Sequence, residues 1–339
     1  GSTCRLILLQ HEAISNRGCM EDSGIILKTA GLRKTFKVGF WGRSVTALEG
    51  LDLEVRQGEV FGFLGPNGAG KTTTIKMMMG LIYPTSGQAW LFGRPIGDQE
   101  SKARLGFLPE SPYFYDYLTG LEFLQFYGHL FGLRGVALGK RIDELLELVG
   151  MSHARHLQLR KFSKGMLQRV GIAQALINDP ELVVLDEPMS GLDPVGRKEI
   201  RDLILRLKES GKTIFFSSHI LHDAEVLCDR VAIILKGRQV ACGRVSELID
   251  EGATHSVEVV VEGLGPEGLA RLRQLADRVI VQGTQVLAVL PSCQQVGPVL
   301  ELIRGARATL VSLTPQKGSL EDLFIREVKN KQPELREAV

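Results

Sequence analysis

The sequence predicts an α/β fold with a mostly parallel sheet and a helical insert, followed by a small α+β module. Three observations carry this. Short apolar runs of strand length recur through the first two thirds, separated by segments of helical period. One of these runs leads directly into a glycine-rich turn and a helix. After about residue 255 the pattern changes to short alternating strands, as a second unit would show.

The elements follow in order. Residues 1–19 show no clear period, and the chain opens on Gly-Ser rather than Met, as a protease scar does. Residues 1–24 read as a leader, with Met20 a plausible native start; a signal peptide is the rival, weakened by Glu12 and Arg17. From about Ile25 strands and helices alternate. Glu59–Leu64 (EVFGFL) is a strand, and Lys71–Leu81 a helix. Leu118–Leu176 is helix-rich, with Ile142, Leu145, Leu146 and Val149 at helical spacing. Leu182–Leu185, Thr213–Ser217 and Val231–Leu235 are further buried strands. The pattern loosens near Ile249–Thr254.

Beyond it, Val257, Val259 and Val261 alternate, and Leu269, Leu272 and Leu275 are helically spaced. Val279–Val281 and Val286–Leu290 flank a hairpin signal. Val296–Ile303 is helical and Thr309–Leu313 a strand. Ser319 then caps a helix carrying Leu320, Leu323, Phe324 and Val328. The first six of these elements match a ferredoxin-like split β-α-β pattern.

Composition excludes several classes. Hydrophobic residues make up 44% and charged residues 24%, which rules out wholesale disorder. Basic and acidic residues number 41 and 39, for a net charge of +2, so nothing electrostatic points to a nucleic-acid partner. No apolar run approaches the ~20 residues of a spanning helix. The five cysteines form no CxxC pair, fitting neither a zinc site nor a disulfide framework and suggesting a reducing compartment.

The chemistry sits in three motifs. Gly65-Pro66-Asn67-Gly68-Ala69-Gly70-Lys71-Thr72-Thr73 contains G-x-x-x-x-G-K-[ST] between a strand and a helix. Its glycines let backbone N–H groups turn around a triphosphate, and the helix N-terminus adds positive potential. Lys71 would reach the β- and γ-phosphates, and the Thr72 hydroxyl would ligate Mg²⁺. Leu182–Leu185 ends in Asp186 and Glu187. Two carboxylates closing an apolar strand need a cation; Mg²⁺ answers that for Asp186, and Glu187 could take a proton from a water attacking the γ-phosphate. Alone, this pair also fits a solvated acidic turn. Phe162-Ser163-Lys164-Gly165-Met166 opens a third helix: Ser163 is a good N-cap, and the same helix start could equally meet a phosphate.

The series GPNGAGKT, FLPE, FSKGM, VVLDEP, SGLD and SSH, over about residues 28–245, resembles the nucleotide-binding subunit of an ABC transporter. The resemblance implies a P-loop ATPase domain over residues 25–250 with a helical subdomain at about 112–178, then the α+β module at 255–328 and a tail at 329–339. It implies a head-to-tail dimer, with the same chain or a paralogous subunit, that sandwiches two MgATP. Ser163, Lys164, Gly165 and Met166 would then meet the ATP held by the partner's phosphate loop, and Asp193 would bridge the two sites. His219 would touch the γ-phosphate and align the attacking water, with Glu187 and Lys71 as its catalytic companions. Glu110, where the family usually has Gln, would join Thr72 and Asp186 around Mg²⁺. An aromatic residue would stack on adenine: Phe36 fits best, with Phe40 and Trp41 as alternatives.

FSKGM in place of LSGGQ, together with Glu110, resembles bacterial exporter ATPases that handle drugs, lipids or polysaccharides. These pair with separate permeases at the cytoplasmic face of the membrane. The aromatic stretch Tyr113–Tyr117, with Leu118, Phe123, Phe126, Tyr127 and Phe131, reads as core of the helical insert, and by resemblance part of it forms the permease groove. A soluble ABC ATPase acting on the ribosome is the alternative function.

Overall fold

The computed structural model describes residues 24–38, 43–252, 256–315 and 318–336. It divides into two compact units, one ending at Arg244 and the other beginning at Val245. This division falls ahead of the sequence boundary at about 250, because helix Val245–Gly252 goes with the second unit.

In the first unit, β1 (Ile25–Val38) and β2 (Arg43–Arg56) form a long antiparallel pair. Next come β3 (Val60–Leu64), α1 (Lys71–Met78), β4 (Ser86–Leu91) and β5 (Arg94–Pro95). Helix α2 (Gln99–Ala103) and β6 (Leu105–Leu108) follow. The helical insert contains α3 (Gly120–Leu130), α4 (Gly135–Leu148) and α5 (Lys164–Ala175). A reciprocal capping box between Thr119 and Glu122 starts α3. The unit closes with β7 (Leu182–Leu185), α6 (Pro194–Glu209), β8 (Thr213–Ser218), α7 (Leu221–Leu227), β9 (Arg230–Leu235) and β10 (Arg238–Arg244).

Two sheets result. One is antiparallel, in the order β2-β1-β4-β5; the other runs β10-β9-β3-β8-β7-β6. In the second, β9, β3, β8, β7 and β6 are mutually parallel and only the edge strand β10 runs against them. Every residue of β3, β7 and β8 is buried. A strand covered on both faces has no polar side to alternate with, which is why EVFGFL and LVVL read as continuous apolar runs. The carboxyl ends of β3, β8 and β7 lie side by side, with that of β6 next to them.

The second unit begins with α8 (Val245–Gly252) and continues through β11 (Val257–Glu262), α9 (Pro266–Leu275), β12 (Arg278–Gln282) and β13 (Gln285–Leu290). Helix α10 (Val296–Gly305), β14 (Thr309–Pro315) and α11 (Leu320–Arg336) complete it. Its sheet is antiparallel throughout, in the order β12-β13-β11-β14. Val257, Val259 and Val261 point to one face and pack with Leu272, Val286, Ala288, Val299 and Ile303. At the start of α11, Ser319 Oγ accepts from Asp322 N–H while Asp322 Oδ2 accepts from Ser319.

Candidate active site

The phosphate loop spans the gap between β3 and α1. Gly70 adopts φ +106°, and a Cβ there would lie 2.4 Å from the Ala47 carbonyl oxygen. Only glycine satisfies both the conformation and the space. The loop is tied down at both ends: Gly65 N–H donates to Ser218 O at 3.2 Å, and Gly237 N–H to Ala69 O at 3.0 Å. Pro66 and the buried Ala69 close a turn, with Ala69 N–H donating to Pro66 O at 3.1 Å. These residues shape the loop. Asn67, Gly68, Gly70, Lys71, Thr72 and Thr73 line a cavity of about 240 Å³, together with Ala47, Glu110 and Glu187.

Asp186 and Glu187 enter this region from the end of β7, both buried. One residue from β8 fixes them. Ser217 Oγ donates to Asp186 Oδ1 at 2.6 Å and accepts from Glu187 N–H at 2.9 Å. Glu187 is thereby held at φ +51°, a left-handed conformation that costs a non-glycine residue about 1–2 kcal/mol. That backbone aims its carboxylate at two cations or potential cations. Oε1 lies 3.1 Å from Lys71 Nζ, and Oε2 accepts from His219 Nδ1 at 2.8 Å. His219 follows the end of β8, where Ser218 Oγ accepts from Ile220 N–H at 3.0 Å and turns the chain.

Ser217 carries no resemblance-based role and was not singled out from the sequence. A signal existed, since a hydroxyl in a wholly buried strand needs a partner at that level, and TIFFSS ends beside VVLDE.

Burial pushes the Asp186 carboxyl above the ordinary aspartate range, and the nearby Glu110 and Glu187 charges push it further. Hydrogen bonds from Ser217 and Thr72 oppose the rise. A raised carboxylate is destabilising when ionised, so its cost to the fold is absent at low pH and grows as pH rises through its folded pKa. Asp186→Asn should therefore raise the melting temperature of the nucleotide-free protein at pH 7, by a few degrees for about 1 kcal/mol. The same change should abolish magnesium-dependent turnover. Thermal scans of the two proteins at pH 7 and near pH 4 check this, the gap narrowing at the lower pH.

The donors around the cavity fit Mg²⁺. Thr72, Glu110 and Asp186 offer hard oxygens, and the surplus negative charge at Asp186 calls for a cation. Among the described residues no three His, Cys, Asp or Glu side chains are grouped to hold a metal by themselves. That suits an ion bound by one or two carboxylates plus phosphate oxygens.

Phe36 lies on β1 and is not among the residues lining the cavity. Its cross-strand partner is Val45, two positions along β2 from the cavity-lining Ala47. The ring is partly exposed, and Lys34 Nζ covers it at 5.1 Å from its centroid. Phe40 and Trp41 lie outside the described residues.

Ser163, Lys164, Gly165 and Met166 are not among the residues lining this cavity. Ser163 caps α5, its Oγ accepting from Met166 N–H at 3.2 Å. A Cβ on Gly191 would sit 2.2 Å from Lys164 Nζ, so the start of α5 rests against the loop at 190–193. Asp193 caps α6 by accepting from Gly196 N–H at 3.0 Å. A larger cavity, about 930 Å³, lies in the second unit between α9 and α10. Glu267, Arg271 and Glu301 are scattered along it with no nucleophile or base paired.

Comparison with known proteins identifies the family. The family model described as ABC transporter matches residues 48–190. An uncharacterized ABC transporter ATP-binding protein of Nostoc sp. is 44% identical over 317 residues, 93% of each chain. The Nod factor export ATP-binding protein I of Cupriavidus metallidurans is 37% identical, over 82% of this chain and 91% of its own length. Among solved structures, the dimeric post-hydrolysis state of an ATP-binding cassette bound to ADP and Pi aligns with a TM-score of 0.59. That match has 26% identity and covers 65% of this chain and 98% of the other. With relatives this similar over nearly its whole length, the chain belongs to the ABC transporter ATP-binding proteins and is an ATPase subunit.

Proposed function

We propose that this chain binds MgATP in a head-to-tail dimer, with itself or a paralogous subunit, and drives a separate transmembrane permease in export. One observation carries the reading. Lys71 and Glu187 line one cavity and His219 is hydrogen-bonded to Glu187, whereas Ser163, at the exposed start of α5, is not among the lining residues. Within one chain the phosphates would have one wall only; a second chain's Ser163, Lys164, Gly165 and Met166 supply the other, with Asp193 bridging the two sites. Phe36 stacks on adenine. Thr72, Glu110 and Asp186 would hold Mg²⁺, which would supply charge neutralisation at the phosphates. Glu187 accepts the proton of the attacking water, and His219, already hydrogen-bonded to it, holds that water in line.

The permease surface is assigned to the helical insert. Tyr113, Tyr117, Phe126, Leu130 and Phe131 are all exposed around α3. Among the described residues no helix is long and apolar enough to cross a membrane. In this reading the chain attaches at the cytoplasmic face through the permease. Export rests on the relative named for Nod factor export and on the FSKGM signature. The second unit is a ferredoxin-like module, supported by its β-α-β-β-α-β order and the strand order β12-β13-β11-β14.

Ser163→Arg tests the composite site. It should leave ATP binding to the single chain unchanged but abolish ATP-dependent dimerisation and turnover, as a bulky cation enters the shared interface. Sedimentation with ATP reads the first effect and phosphate release the second. A normal ATP-induced dimer with wild-type turnover would overturn the reading.

A further inference from the structure

Lys71 Nζ sits among three oxygen atoms of its own chain. An ammonium has three N–H donors and no acceptor. Lys71 Nζ donates to Gly65 O at 2.7 Å and to Pro66 O at 3.3 Å, and faces Glu187 Oε1 at 3.1 Å. Two of its donors are committed to carbonyls, and a phosphate oxygen would compete with Glu187 for the remaining N–H and for the charge. The two carbonyls belong to the same loop as the lysine and move with it, and they are neutral. Glu187 comes from another strand and carries the charge that a phosphate would replace like for like. Its contact is also the poorly directed one: Oε1 is buried and forms no hydrogen bond of good geometry. Both side chains are more than nine-tenths buried, so the pair is unscreened by water. Glu187 Oε2 is occupied as well, by His219. Both carboxylate oxygens are thus directed at neighbouring side chains, Oε1 at Lys71 and Oε2 at His219.

We propose that Lys71 masks Glu187 in the resting protein, and that the terminal phosphate of the incoming nucleotide frees the base by taking the lysine from it. The carboxylate is the anionic partner of Lys71 that the γ-phosphate would replace. Base activation is thus coupled to nucleotide binding through one exchanged ion pair, and a chain without nucleotide holds its base out of use. The inference rests on the reading of Glu187 as the base, and it makes Lys71 a positioning residue for Glu187 in addition to a phosphate ligand.

Calorimetric titration of the full chain with ATP in EDTA, where no turnover occurs, separates this device from plain repulsion between Glu187 and the triphosphate. Glu187→Gln removes both the ion pair and the charge. Glu187→Asp keeps the charge but is one methylene too short to hold Lys71. The mask predicts that both variants bind ATP more tightly, by about tenfold for each 1.4 kcal/mol of competition removed. AMP, which has no phosphate to reach Lys71, should bind wild type and Glu187→Asp alike. Tightening in Glu187→Gln alone would show repulsion only, and unchanged affinity in both would show no competition; either result overturns the proposal. Should Glu187→Asp fail to fold, nucleotide-free melting of Lys71→Met, Glu187→Gln and the double variant gives the answer. Strong coupling between the two changes supports the pair, and additive effects refute it. The base assignment is tested apart from this: wild-type turnover of Glu187→Gln with Mg²⁺ would remove the base and leave the EDTA binding result standing.

Discussion

Replacing Glu187 by glutamine is expected to lower ATP turnover by about 10²–10⁴-fold while ATP still binds. Glutamine is nearly isosteric and can still hydrogen-bond His219 and keep its backbone bond to Ser217, so the site should retain its shape. What it loses is the acceptor for the proton of the attacking water. Because hydrolysis is what reopens the proposed sandwich, the variant should also accumulate as an ATP-bound dimer. Phosphate release under saturating ATP gives the rate, and filter binding confirms that nucleotide is still held. A variant that turned over at the wild-type rate would mean that another group takes the proton.

Lys71→Ala acts on binding instead. Losing a charge-assisted phosphate contact, worth about 1.5–3 kcal/mol, should weaken ATP affinity roughly ten- to a hundredfold. The nucleotide-free protein should suffer too, because Glu187 is then left buried without its cation. A lower melting temperature without ligand, together with weakened binding, is the expected pair of results. Weakened binding at an unchanged melting temperature would mean that the Lys71–Glu187 contact contributes nothing to the resting fold.

The parts of this site that were legible in the sequence are those where local chemistry fixes conformation. The loop Gly65–Thr72 was legible because its glycines, lysine and threonine have one job between a strand and a helix. LVVL followed by Asp186 and Glu187 was legible because a strand buried on both faces leaves no period to confuse. The strand and helix order after Val257 was legible because alternation at Val257, Val259 and Val261 gives way to helical spacing at Leu269, Leu272 and Leu275. The antiparallel sheet formed by β1 was not. Its ladder with β2 is interrupted by register shifts, as between Thr29 and Leu32, so the inward residues do not keep a strict period of two.

Contacts between distant strands were the other blind spot. Ser217 binds Asp186 and Glu187 across some thirty positions of chain, and Lys71 meets Glu187 across many more. No local pattern encodes such pairs; they follow from β3, β8 and β7 being adjacent in the sheet. The end of the first unit was missed for a similar reason. Helix α8 follows β10 without a break, and its packing with α11, far along the chain, is what assigns it to the second unit.

The central claim is that a working site needs two chains, and the dependence of specific activity on protein concentration tests it most directly. Turnover per chain, measured at saturating MgATP over a hundredfold or so of protein concentration, should rise from near zero as chains pair and then level off. The Ser163→Arg protein should stay flat and low across the whole range. Constant specific activity down to the lowest concentration, lost in Lys71→Ala but retained in Ser163→Arg, would contradict the account and place the complete site within one chain.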